Sequence, residues 1–356
     1  MRFRSIAIGR LLWWSPLLTL LVLVAAGCAE NYPQTTLDPR GEFARMVDDV
    51  FMTTVRWAIL VFVLVEGALV VAIIKFRGKP DDPEPKQIHG SSVLEVVWTV
   101  IPAVILVMVA IPTIKVIFET AKEPADALVV EVIGHQWWWE FRYPEYGITT
   151  ANEMYVPVDR TVDLRMVSDD VVHSFWVPQF AAKRDVFPNR ETRMWFNTEV
   201  TGEFPGQCAE FCGIQHARMG FRVVSVEVAE FDSWVAGMSA ATEPVSVEGD
   251  SVALAGQQLF LTKACIGCHS FNAAAPPPGQ IGPNLANIGS RTMIAAGMLE
   301  NTDENMARWI SDPQGYKEGS LMVIAGEITE AELAALVAYL RAQQVVASPP
   351  VVADIQ

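Results

Sequence analysis

Residues 208–219 read CAEFCGIQHARM. Two thiols, an imidazole and a thioether stand within twelve residues, in a chain of 356 that has five Cys and five His in all. Such soft and borderline ligands favour copper or zinc over magnesium or calcium. The flanking sequence decides what carries them. From Ala127 to Val228 the pattern has period two, through ALVVEVIG, QWWWEFRY, TVDLRMVS, HSFWVP, TRMWFN and FRVVSVEV, with Gly-, Pro- and Asp-rich turns between. About a hundred residues of short strands predict a β-sandwich or Greek-key barrel. The ligand-rich stretch lies between the last two predicted strands, in a loop at one end of a rigid scaffold.

Cys208, Cys212, His216 and Met219 need one more strong ligand. His173, where HSFWVP begins, is the natural candidate; His135, ahead of QWWWEFRY, is the other. A disulfide is allowed outside the cell but explains neither His216 nor Met219. A Cys₂His₂ zinc site leaves the Met idle. A copper site uses every ligand.

Toward the amino terminus the chain becomes apolar. Arg2, Arg4 and Arg10, an apolar Leu17–Val24 and the small residues Ala25, Ala26 and Gly27 precede Cys28. This is the layout of an export signal, residues 1–27, and it resembles a bacterial lipobox with Cys28 as the lipidated residue. The other reading is an uncleaved span. Two further spans, about 57–74 and 96–118, follow within residues 28–120. Each can cross a hydrocarbon core of about 30 Å. Lys75, Arg77, Lys79 and Lys86 between them put that loop inside the cell and everything after residue 118 outside. Glu66, near mid-membrane, is either functional or a protonated Glu packed against another subunit.

Residues 237–250 are small, polar and acidic, a linker between a copper domain at 121–236 and a last domain at 251–345, with a tail at 346–356. The last domain opens with KACIGCHSF. Cys-x-x-Cys-His is the attachment signature of a c-type haem, with Cys265 and Cys268 as thioether residues and His269 as an iron ligand. Half a zinc site would need more Cys nearby, and a thioredoxin pair a βαβ context. Here helical patterns flank it, the last with capping-box spacing at Thr329 and Glu332. The formal charge is −15, and it lies after residue 118: 19 acidic against 10 basic over 119–237, and 12 against 5 beyond. Nucleic acid is excluded as a partner, whereas a basic protein partner, met by electrostatic steering, is compatible with this charge.

Cys-x-Glu-x-Cys-x-x-x-His-x-x-Met after a two-span hairpin resembles subunit II of cytochrome c oxidase, and GHQWWWEF and LEVVWTVIPAVILV resemble that family's signatures. Residues 250–343, with IGPNLANIGSRTMIAAGMLENTDENMARWISDPQ, resemble a class I cytochrome c. The resemblances imply a multidomain membrane protein: a two-helix transmembrane hairpin, an all-β cupredoxin sandwich and an all-α cytochrome c domain. They imply a binuclear copper A centre with Cys208 and Cys212 bridging, His173 and His216 as nitrogen ligands, and Met219 and the Glu210 carbonyl as weak ligands. The Glu210 carboxylate would face a magnesium ion shared with subunit I. Trp137 resembles the aromatic of an electron-accepting surface, and Glu95 a residue of proton uptake. The sixth ligand of haem c would be Met322, where Val323 replaces the family's usual Pro; Met293, Met298 and Met306 are the alternatives.

The implied activity is that of an oxidase subunit in a bacterial inner membrane. It would pass electrons from an external donor, a bc-type complex or a cytochrome c, through haem c and copper A to subunit I, beside subunit III. Oxygen would be reduced to water there, coupled to proton translocation. Two other readings are a subunit of a nitric oxide reductase and a metal-storage lipoprotein, the latter having no use for a covalent haem.

Overall fold

The computed structural model describes residues 34–78, 83, 84, 87, 89–274, 281–324 and 326–346. The expected signal segment, Cys28, Lys79, Lys86 and the tail beyond Val346 lie outside the described residues. Among the described residues, two helices are long and apolar enough to cross a membrane, α1 (Glu42–Lys75) and α2 (Ser92–Thr120). Both predicted spans fall inside them. α1 starts earlier than its apolar run, because its first turn is held by the β domain. Glu42 N donates to Asn197 Oδ1 (2.8 Å), Arg45 pairs with Glu199, and Phe43 is buried against Trp195.

Ten strands form the sandwich: β1 (Leu128–His135), β2 (Trp138–Tyr143), β3 (Ile148–Ala151), β4 (Glu153–Pro157), β5 (Val162–Ser168), β6 (His173–Trp176), β7 (Arg184–Val186), β8 (Thr192–Phe196), β9 (Gly202–Cys208) and β10 (Gly220–Val226). The sheet orders are β3-β2-β1-β5-β8 and β4-β10-β9-β6-β7. The β1–β5 and β4–β10 pairs are parallel. Trp139 from one sheet meets Phe175 and Phe221 of the other edge-on, at 5.6 and 5.7 Å between ring centroids. These are favoured aromatic geometries, and they form the centre of the core.

Period two marked six of the ten strands and missed β3, β4, β7 and β9. β7 is three residues long, and β9 (GEFPGQC) holds two Gly and a Pro, which mask a strand pattern. β3 and β4 are buried along their whole length, so no polar face alternates with an apolar one. Two later elements cover them. Helix α3 (Val228–Ala240) buries Phe231, Trp234 and Met238 at helical spacing, and Trp234 stacks on Tyr155 at 4.9 Å. The final domain adds Thr149 N to Ala273 O (2.6 Å). The stretch 237–250 is therefore no free tether. Its first residues finish α3, Ala241 and Val247 are buried, and Val245 N donates to Gln343 Oε1 (2.8 Å).

The last domain is helical around α4 (Ser251–Thr262), α5 (Asp303–Ser311), the short α6 (Pro313–Tyr316) and α7 (Glu330–Arg341). Phe260 of α4, Phe271 and Tyr339 of α7 meet at 4.9–5.8 Å. Asp250 caps α4 through Val252 N and Ala253 N, and Thr329 with Glu332 completes the capping box of α7.

Candidate metal centres

Strand pairing brings the first ligand set together. β6 runs antiparallel to β9 with Phe175 opposite Cys208, so His173 and Cys208 reach the same end of the sandwich. The loop from Cys208 to Gly220 is closed at its base by Cys208 N to Met219 O (2.9 Å), and a 3-10 turn at His216–Arg218 folds His216 back over it. The ligand atoms of His173, Cys208 and Cys212 lie within 4.8 Å of one another. Cys208 Sγ is 3.7 Å from Cys212 Sγ, 3.8 Å from His173 Nδ1 and 3.2 Å from the Glu210 carbonyl oxygen. Cys212 Sγ is 3.7 Å from His216 Nδ1 and 3.8 Å from Met219 Sδ. The two sulfurs stand far beyond the roughly 2.05 Å of a disulfide, so that alternative is not formed. His173, Cys208, Cys212 and Met219 are buried, and His216 is half-buried.

The donor set fits copper, and its surroundings prepare it. Asp170 accepts from His173 Nε2 at 2.8 Å, which turns Nδ1 toward the sulfurs. Burial opposes a charged His173, but Asp170 and Cys208 outweigh it and raise its pKa. A hydrogen bond from Cys212 lowers Cys208, and the same bond raises Cys212. Gly134 gives the imidazole room: a Cβ there would stand 2.8 Å from His173 Cδ2. His135, the other candidate, is outside the cluster. It stacks on Trp138 at 4.2 Å and faces the Glu140 carboxylate. The Glu210 side chain is exposed and accepts from Phe211 N.

The second set lies in the last domain. Cys265, Cys268 and His269 line a cavity with Met306, Met322 and Leu336. His269 Nδ1 donates to the Pro283 carbonyl (2.8 Å), which leaves Nε2 for iron. Burial lowers the His269 pKa and keeps the neutral, ligating form. Two free thiols, an oriented imidazole and an apolar wall fit a covalent haem. Of the Met alternatives, Met293 and Met306 also face the cavity, and Met298 is not among its lining residues.

Trp137 is 9 % exposed, covered by the last domain, and lines the haem cavity. Its indole Nε1 donates to the Cys212 carbonyl (3.0 Å), and the Gln136 amide to the same oxygen (2.7 Å). The surface expected to accept electrons is therefore occupied by the chain's own haem domain. Glu95 sits in the first turn of α2, at the end farthest along the chain from the sandwich. Sequence reasoning missed Asp170 and Lys317. A carboxylate three residues before a ligating His was the available signal for Asp170. Lys317, which bridges the two domains, carried none.

Three family models match this chain. Residues 37–116 match "Cytochrome C oxidase subunit II, transmembrane domain", 147–226 the periplasmic domain of the same family, and 253–344 "Cytochrome c". The cytochrome c oxidase subunit 2 of Alkalihalophilus pseudofirmus is 39 % identical over 335 residues, 92 % of this chain and 96 % of the relative. That of Bacillus sp. strain PS3 is 37 % identical over 345 residues, again 92 % and 96 %. Among solved structures, the periplasmic domain of subunit II of cytochrome oxidase from Bradyrhizobium japonicum is similar at 36 % identity. It covers 33 % of this chain and 95 % of that one, with a TM-score of 0.32.

Proposed function

From the premise that the chain belongs to the cytochrome c oxidase subunit II family and ends in a cytochrome c domain, we propose that its haem domain receives electrons from an external donor and its copper domain delivers them to subunit I. The observation that carries this order is Trp137. One side chain lines the haem cavity and hydrogen-bonds the backbone of the copper ligand Cys212.

In this reading Cys208, Cys212, His173, His216, Met219 and the Glu210 carbonyl hold two coppers. Cys265, Cys268, His269 and Met322 hold haem c. When bound, such groups store single electrons and keep no open position for substrate. The chain's own residues orient the ligands: Asp170 fixes His173, and the Pro283 carbonyl fixes His269. The exposed Glu210 carboxylate is left to face subunit I with a shared magnesium. Glu95 serves proton uptake at the inner end of its span. Two spans and a Cys28 lipid anchor the chain in a bacterial inner membrane, with both metal domains outside, subunit III alongside, and a bc-type complex or a cytochrome c as donor. Nothing favours the nitric oxide reductase alternative, since the near-full-length relatives carry the oxidase name.

Metal analysis of the native complex is expected to give two coppers and one covalent haem for each copy of this chain. Stopped-flow mixing with a reduced donor should show haem c reduced before the copper absorption bleaches. Copper reduced first, with the haem lagging, overturns the order.

A further inference from the structure

Four consecutive residues ahead of Met322 are each fastened to the copper loop or to Trp137. Arg218 donates to the Tyr316 carbonyl. The Lys317 ammonium donates to the carbonyls of Trp137 (2.7 Å) and Arg218 (2.8 Å), with Ala295 O at 3.4 Å. Gln215 Nε2 donates to the Glu318 carbonyl (2.9 Å). Gly319, at φ +79°, lies so close that a Cβ would stand 3.0 Å from Ile214 Cδ1 and 3.4 Å from Trp137 Cη2.

Lys317 is only 4 % exposed. Lysine is almost never fully buried, because an ammonium taken from water costs several kcal/mol unless its donors are filled. Here they are filled by three backbone carbonyls: two from the copper domain and one from the haem domain. No ion pair involves Lys317 among the described residues. What these contacts specify is the relative place of three backbones. One precedes a copper ligand, since Arg218 adjoins Met219. One belongs to Trp137, which is bonded to Cys212. The third, Ala295, belongs to the haem domain, and Lys317 itself stands on the segment that leads to Met322.

We infer that Lys317 is a positioning residue for electron transfer between the two domains, holding the segment that leads to Met322 against the copper loop at a fixed separation. The inference rests on the haem-before-copper reading. The step it governs transfers one electron from reduced haem to the oxidised copper centre, with no bond made or broken and no proton moved. Removing the Lys317 donor leaves buried carbonyls unpaired. A loosened seam lets the separation fluctuate, and small misplacements cost large factors in rate.

The test uses the native complex carrying Lys317→Leu and, separately, Gly319→Ala, which pushes a methyl group into Ile214 and Trp137. Stopped-flow reads the donor-to-haem and haem-to-copper rates separately, and hydrogen exchange reads the amides of residues 212–219 and 316–322. In Lys317→Leu the haem-to-copper rate is expected to fall by about tenfold or more. The donor-to-haem rate and the copper absorption should stay as in the parent, while exchange rises in residues 316–319. Faster exchange with an unchanged haem-to-copper rate makes Lys317 glue and overturns the inference. If Lys317→Leu does not assemble, Gly319→Ala decides by the same criterion. Copper reduced before haem in the parent complex sinks the order of flow, and the inference with it, whatever the variants do.

Discussion

Ligand atoms of the copper loop stand 3.2–3.8 Å from their neighbours. In the haem domain the residues proposed as ligands line a cavity and reach it from segments far apart, His269 just after α4 and Met322 just before α7. The first site is shaped by strand pairing and by one hydrogen bond at the base of its loop. The second is shaped by helices that leave an apolar space between them. The sandwich has its own aromatic core apart from the ligand loop, and is expected to fold without its metal. A helical domain whose core encloses a cavity gains packing from the group that fills it.

The comparison breaks most readily at the haem. The double variant Cys265→Ser, Cys268→Ser is expected to lose covalent haem and hydrogen-exchange protection throughout α4 and α7, with the copper absorption kept. A haem domain as protected as in the parent would mean that its core does not depend on the group. The reciprocal change, Cys212→Ser, should abolish the copper absorption while β1–β10 keep their exchange protection and haem c its spectrum. Global loss of strand protection would show that the copper loop is also completed by its metal.

The seam between the two regions has a charge balance of its own. Glu153 of β4 is buried, and its Oε1 accepts from Thr292 N (2.8 Å). Glu203, Arg222, Tyr155 and Arg291 are the ionisable groups whose fields it feels or returns. Burial pushes its pKa from 4.5 up to about 7, against the pull of Arg291. The folded state therefore holds this proton more tightly than the unfolded chain. The stability it contributes is full below pH 4.5 and is lost as pH rises through about 7. A rise of that size corresponds to roughly 3 kcal/mol. Glu153→Gln should remove the dependence, so its melting temperature changes less between pH 5 and pH 8 than the parent's. Equal pH slopes in the two proteins would place the titration elsewhere.

The smallest effect is expected inside the copper site. Asp170→Asn keeps the shape and removes the charge behind His173. Copper affinity should fall by about 10- to 100-fold, the usual cost of losing such a partner, with the fold unchanged. Competition with a chelator measures it, and an unaltered affinity would mean that strand pairing alone aims the imidazole.

What could be read from the chain and what could not follow the same division. Ligands joined by short spacings, as in CAEFCGIQHARM and CIGCH, are written contiguously. The amphipathic strands and the α7 cap follow from local period and capping chemistry. β3, β4, α3 and Lys317 owe their state to what packs on them from elsewhere, and period two carries no trace of a second layer. Trp137 was legible as an aromatic beside the copper site. That a haem domain covers it depends on residues 316–319, which look like an ordinary surface turn.

The early start of α1 sets a height and an angle. Thirty-four residues at 1.5 Å each give a rod of about 51 Å, against a hydrocarbon thickness of about 30 Å. Some 20 Å of helix is thus more than a crossing needs, a stalk whose first turn the sandwich grips through Asn197 and Glu199. One residue inserted into the stalk would lift the copper loop by about 1.5 Å and turn it by about 100° about the helix axis. Only changes near whole turns keep the loop aimed where it was, so the stalk's length is quantised by the pitch of a helix that holds no metal.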